Sequence, residues 1–190
     1  MYVAFRRTGT RRYAVIVSLT GQPPRAMDPA PGYDDDIPHD LVHYLVEAEL
    51  GLTYGVYGSA ARGGGTFIAT SERDATARER AREQRKQKRR EQTLRTHDGR
   101  HAAEMAQSER LALLCDVTWR RKRGQRPDPG RPAPVVGAAD AADVGRVVAR
   151  LDAIAPLWRE LPVEGELVFE WPHVTPHQRH QREAGRSETS

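Results

Sequence analysis

The chain has 190 residues, 38% hydrophobic and 29% charged, which suits one domain with a real core and excludes a membrane-embedded or collagen-like protein. A single cysteine, Cys115, excludes a disulfide scaffold, and no apolar run approaches the ~20 residues of a bilayer span, so a cytoplasmic protein that does not engage membrane is expected. The net charge of +4 hides an asymmetry: residues 73–100 carry +6, residues 120–131 carry +5, and the remainder is acidic at −7.

Tyr2 to Arg7 and Arg12 to Leu19 read as two strands joined by a short turn at Thr8-Gly9-Thr10-Arg11. In the second, Tyr13, Val15, Val17 and Leu19 alternate with Ala14, Ile16 and Ser18. A loop rich in Pro, Gly and Asp runs from Gly21 to Pro38. His39 to Leu50 reads as a helix opened by Asp36 or Pro38 and stopped at Gly51, with Leu41, Val42, Leu45, Val46 and Leu50 as its apolar stripe. The stretch from Tyr54 to Gly65, punctuated by glycines, reads as a flexible connector.

Ser71 to Thr96 is helix-prone and almost devoid of large apolar residues, without the apolar seam of a coiled coil. Ala102 to Arg121 reads as a helix with Met105, Leu111, Leu114 and Trp119 as core contacts. Gly124 to Pro134 is a proline-rich linker. Asp140 is placed to cap a helix whose stripe is Val144, Val147, Val148, Leu151, Ile154 and Ala155, with Pro156 ending or kinking it. Gly165 to Trp171 reads as a third strand. The expected fold is therefore α+β: a small antiparallel sheet of about three strands covered by helices. Its core comprises residues 1–70 and 135–172, interrupted by a charged helical insertion and linker at 71–134 and followed by a disordered tail at 173–190.

One segment carries chemistry, Pro38-His39-Asp40-Leu41-Val42-His43-Tyr44-Leu45-Val46-Glu47. His39, His43 and Glu47 are spaced by four, which on a helix brings them to one face with Cβ atoms about 5–6 Å apart. Two imidazoles so placed can chelate a divalent metal such as zinc, and a carboxylate can add a third ligand; binding would weaken as pH falls through the imidazole range. The spacing resembles the zinc-peptidase pattern H-E-x-x-H, with the shorter Asp40 standing where the general-base glutamate would be. The His-Asp pair also resembles that of the HD phosphohydrolases, whose remaining ligands the sequence does not locate. The simpler alternative is a helix N-terminus favoured by Asp40, with His43 and Glu47 paired on a partly exposed face and no cofactor.

The segments P-H-D-L-V-H at residues 38–43, V-E at 46–47 and E-L-G-L at 49–52, following an N-terminal hairpin, resemble a family of uncharacterised bacterial proteins. The likeness covers the first third of the chain, and Leu157 to Pro162 with the final strand is similar to the same group. It implies that residues 1–67 and 138–172 form one unit, and it implies no activity.

Gly63-Gly64-Gly65 lacks the residues of a phosphate-binding loop, and Cys115 lies in an apolar run, which points to a buried, inert thiol. Arg78, Arg82, Arg85, Lys86, Arg89 and Arg90 could contact the phosphates of a nucleic acid or an acidic protein partner. Glutamates interleave them, no aromatic residue is present for base stacking, and 27 arginines against three lysines is the usage of a GC-rich bacterial genome. The basic segments could equally fold back onto the acidic body. The first expectation is a non-enzymatic interaction or accessory module acting through the basic insertion. A metal-dependent hydrolase using His39, His43 and Glu47 with Asp40, and weak sequence-independent nucleic-acid binding, stand beside it, so whether the chain is an enzyme stays open.

Overall fold

The computed structural model of the chain describes residues 1–65, 67–69, 85, 99–125 and 135–179. Among them six strands form one antiparallel sheet: β1 (Tyr2–Gly9), β2 (Arg12–Ser18), β3 (Arg25–Met27), β4 (Ile68–Ala69), β5 (Glu166–Glu170) and β6 (His177–Arg179). The spatial order is β4-β3-β2-β1-β5-β6. The register Val3↔Val17, Phe5↔Val15 and Arg7↔Tyr13, with Val3↔Phe169 and Phe5↔Leu167 on the other side, gathers Val3, Phe5, Tyr13, Val15, Val17, Leu167 and Phe169 on one face. All seven are fully buried. The period-2 pattern of β2 is thus the pattern of a strand that gives alternate residues to a helical layer.

Four helices among the described residues supply the rest of the core: α1 (His39–Leu50), α2 (Val56–Ala61), α3 (Gly99–Lys122) and α4 (Ala141–Arg159). Helix α1 sits innermost, in contact with α2, α3 and α4. It buries Leu41 through Glu47 without interruption, because it meets neighbours on every side rather than along one stripe. Gly51 ends it in the left-handed conformation (φ 64°), and Leu52 donates its amide to the Glu47 carbonyl. None of the described helices is long and apolar enough to cross a membrane.

The sheet is larger than the expected three strands, because β3, β4 and β6 have only two or three residues each, too few to show a period. Helix α3 buries Leu111, Ala112, Leu114, Cys115 and Trp119 in the same cluster as the sheet residues, so residues 99–122 are core and not part of an insertion. His177 to Arg179 pair with β5, which moves the start of the expected tail past residue 179. Asp140 precedes α4, but its carboxylate does not cap; it takes a two-pronged contact from Arg110 of α3 (2.7 and 3.0 Å). Pro156 lies within the last turn of α4, and the helix runs on to Arg159. Residues 70–84, 86–98, 126–134 and 180–190, which hold most of the expected insertion and tail, lie outside the described residues.

Three of the four described cations of the second basic segment contact the body of the fold, and the fourth, Arg121, is exposed. Arg120 pairs with Asp116 (2.8 Å) and Asp34 (3.2 Å), Lys122 pairs with Asp152 (2.5 Å), and Arg123 lies 4.9 Å from the centre of the Trp119 ring. For these residues the fold-back of charge onto the acidic body holds.

Candidate metal centre

The loop before α1 fixes where the site begins. The Asp34 carboxylate accepts the amides of Asp36 (2.8 Å) and Ile37 (3.1 Å), a local turn of the kind aspartate favours. Trp158 donates its indole N–H to the Asp34 carbonyl (3.1 Å), and Arg159 pairs with Asp36 (3.2 Å). Gly32 has φ +71° and accepts the His39 amide (3.2 Å); a Cβ there would stand 2.8 Å from the His39 Cβ. Both facts require glycine at this position, and both serve the placement of His39.

His39 is exposed at the first turn of α1, and His43 is buried one turn on. Their Nε2 atoms are 3.1 Å apart, with the rings nearly perpendicular. Glu109 of α3 brings its Oε2 to 3.7 Å from the same nitrogen of His43. One ligand atom from each of these three residues lies within 4.8 Å of the others. Two nitrogens held by one tetrahedral zinc at ~2.0–2.1 Å would stand roughly 3.3–3.4 Å apart, close to the observed separation.

Glu47 is elsewhere. Its carboxylate is fully buried against the start of α2, where Oε1 accepts the Val56 amide (2.8 Å) and Oε2 accepts the amides of Tyr57 (2.8 Å) and Gly58 (3.3 Å). Oε1 also accepts the hydroxyl of Ser108 on α3 (2.9 Å). Four donors occupy the four lone-pair positions of an ionised carboxylate, and three of those donors are amides that the first turn of a helix leaves unpaired. Gly55 makes the approach possible: a Cβ at that position would lie 2.2 Å from the Glu47 carboxyl carbon. The stretch expected to be a flexible connector is therefore a short helix with a built-in acceptor. Burial nevertheless raises the Glu47 carboxyl above its ordinary range, with the hydrogen bonds opposing.

His43 joins the two groups. Its Nδ1 is 3.1 Å from Ser108 Oγ, and its Nε2 faces His39 and Glu109. Burial, followed by the neighbouring His39, pushes its pKa down to about 4. At neutral pH it is an uncharged imidazole, the form a metal requires.

Asp40 turns away from the ligand atoms. Its carboxylate accepts the Tyr13 hydroxyl (2.5 Å), and Tyr57 donates to its backbone carbonyl (3.0 Å). Burial raises its carboxyl above the usual range, the Tyr13 hydrogen bond and His39 oppose this, and Glu109 adds to it. It thus lies within electrostatic reach of the site while its side chain is held by the sheet.

The structure brings together two of the three expected ligands, His39 and His43, and supplies Glu109 where the spacing on α1 suggested Glu47. Glu109 and Ser108 were not found from sequence. Ser108 had a signal: it falls on the buried stripe of Leu111, Ala112, Cys115 and Trp119, where a hydroxyl needs a partner. Exposed Glu109 had none. Cys115 is buried as expected, its thiol pushed up to about 12 chiefly by burial. Gly63 and Gly64 present carbonyls to the Arg25 guanidinium (3.1 and 2.8 Å), the opposite polarity to a phosphate cradle. Of the six basic residues singled out, only Arg85 is described, and it is exposed; Arg78, Arg82, Lys86, Arg89 and Arg90 lie outside the described residues. Comparison of the chain with family models, with curated proteins and with solved structures finds no match.

Proposed function

We propose that the chain binds one divalent transition-metal ion, zinc being the case the geometry suits, through His39, His43 and Glu109. The observation that carries this reading is the convergence of two imidazole nitrogens 3.1 Å apart beside a carboxylate oxygen. Two histidines from successive turns of one helix with a glutamate from another make a set of three protein ligands. Zinc sites with three protein ligands keep a fourth position for water, and those are the catalytic ones. Metal-dependent hydrolysis is accordingly the activity class that the ligand set favours.

Protein purified without an affinity tag, stripped with chelator and titrated with zinc by calorimetry is expected to take up one ion per chain. His39→Ala is expected to abolish that uptake. Absence of saturable binding at millimolar zinc would refute the proposal, and would favour the alternative in which His39 donates an Nε2–H to His43 and Glu109 is an ordinary surface acid.

The basic segment supports a separate reading, binding of an acidic partner or of nucleic acid through Arg78, Arg82, Arg85, Lys86, Arg89 and Arg90. It rests on the local charge of +6. Binding to a random duplex that falls steeply as salt rises would support the nucleic-acid form of it, and no binding at low salt would end that form and leave only the acidic partner.

A further inference from the structure

We infer that Ser108 and Glu47 are positioning residues that hold His43 as its Nδ1–H tautomer and so present the bare Nε2 to the ligand site. The inference deepens the metal-binding reading and rests on it for its purpose, but the tautomer itself can be measured without a metal.

The direction of each hydrogen bond follows from counting donors. In its ionised form, which the surrounding hydrogen bonds favour against burial, the Glu47 carboxylate has only acceptor positions, and three backbone amides already point at it. Ser108 Oγ, 2.9 Å from Glu47 Oε1, must therefore give its one proton to the carboxylate. The hydroxyl oxygen then has only lone pairs left for His43 Nδ1 at 3.1 Å, so that nitrogen must carry the hydrogen. A neutral imidazole has a single N–H. Once Nδ1 holds it, Nε2 is a lone pair, and it faces His39 Nε2 and Glu109 Oε2. Every step of this chain is buried: His43, Glu47 and Ser108 have at most 4% exposure, so water does not compete for the intermediate positions. His39 is exposed, and its ring can donate to His43 when no metal is present and present a lone pair when one is. The same carboxylate that completes the start of α2 thus sets the protonation pattern of a ligand one helical turn earlier on α1.

The test reads imidazole nitrogen shifts by NMR on metal-free, nitrogen-15-labelled protein, together with zinc affinity. Wild type is expected to show His43 as Nδ1–H. Ser108→Ala removes the acceptor, and His43 is expected to shift to the Nε2–H form or to a mixture, with zinc binding weakened by about 10–100-fold, the usual loss when a partner of a ligand histidine is removed. Glu47→Gln gives an independent reading at unchanged volume. Its NH2 group is expected to face Ser108, where one backbone amide opposes it, rather than the side where two do. The hydroxyl then accepts from Gln and donates to His43 Nδ1, and the tautomer inverts. An Nε2–H tautomer in wild type overturns the inference. So does a His43 that stays Nδ1–H in every variant that folds. If wild type shows Nδ1–H, responsive to Ser108→Ala, but takes up no zinc, the positioning stands and the metal reading fails. If zinc binds and the tautomer ignores Ser108, the reverse holds.

Discussion

The two nitrogens of the His43 ring look into two different regions. On the Nδ1 side lie Ser108, Glu47 and the first amides of α2, a largely buried set whose donors and acceptors are matched. On the Nε2 side lie His39 and Glu109, both exposed, with the Glu109 side chain 63% accessible. Both regions hold one carboxylate from a helix, and the fold uses the two in opposite ways. The buried one is tied into a network that must be complete, because each unpaired buried group would cost about 1–3 kcal/mol. The exposed one has water as an alternative partner and contributes little to folding. Stability therefore resides on the inner side of the ring, and the capacity to take a ligand on the outer side.

The largest effect is expected from the inner side. Glu47→Ala strands three backbone amides and the Ser108 hydroxyl without an acceptor, and should destabilise the fold by about 3–5 kcal/mol in urea denaturation. Gly55→Ala should act through the same group, since its new methyl would overlap the carboxylate. A loss below about 1 kcal/mol for Glu47→Ala would mean that the inner network is not what holds α2 to α1 and α3.

A second effect, somewhat smaller, separates the regions by pH. His43 has a folded pKa of about 4 against 6.5 for the free side chain. Between those values the unfolded chain binds a proton that the folded chain refuses. Stability carried by His43 is thus fully present above pH 6.5 and is lost as pH falls from 6.5 to 4, by at most about 3 kcal/mol. Glu47 and Asp40 work with the opposite sign, because their folded carboxyls are raised and take up protons before the unfolded chain does. The difference between wild type and His43→Asn isolates the histidine: in chelator, the gap in unfolding free energy should narrow as pH falls through this window. A gap that stays constant from pH 7 to 4 would show that His43 titrates like an exposed histidine.

What could be read in the sequence follows the same division. The strands β1 and β2 and the stripe of α4 were legible because each is long enough to repeat its period, and α1 and β5, buried on more than one side, were legible from their apolar residues and the glycines that bound them. Helix α3 was legible as a helix, but the run of charge before it obscured its membership of the core, which Leu111, Leu114 and Trp119 secure. His39 and His43 could be paired because i,i+4 spacing is a local property. Glu47 shares that spacing and still points elsewhere, since a carboxylate beside a glycine-started helix meets three amide donors that no neighbour on α1 can rival. Glu109 is 66 residues from His43 in sequence, and only the packing of α3 on α1 brings them together. Contacts of that kind are set by tertiary arrangement, which local pattern does not encode.

The smallest change in stability should accompany the largest change in binding. His39→Gln and Glu109→Gln alter only exposed side chains, and in chelator each should unfold within about 0.5 kcal/mol of wild type. With zinc at 100 times the dissociation constant, wild type should gain about 2.7 kcal/mol, because the ion binds the folded state. Each variant should lose most of that gain, since two remaining ligands hold an ion far less firmly than three. Thermal unfolding with and without zinc gives both numbers from one preparation. If either variant is destabilised by several kcal/mol without metal, the outer side is structural and the division between the two faces of His43 fails. If both variants keep the full zinc-induced gain, the ion is bound at some other place, and the three converging atoms are a surface contact of no consequence for binding.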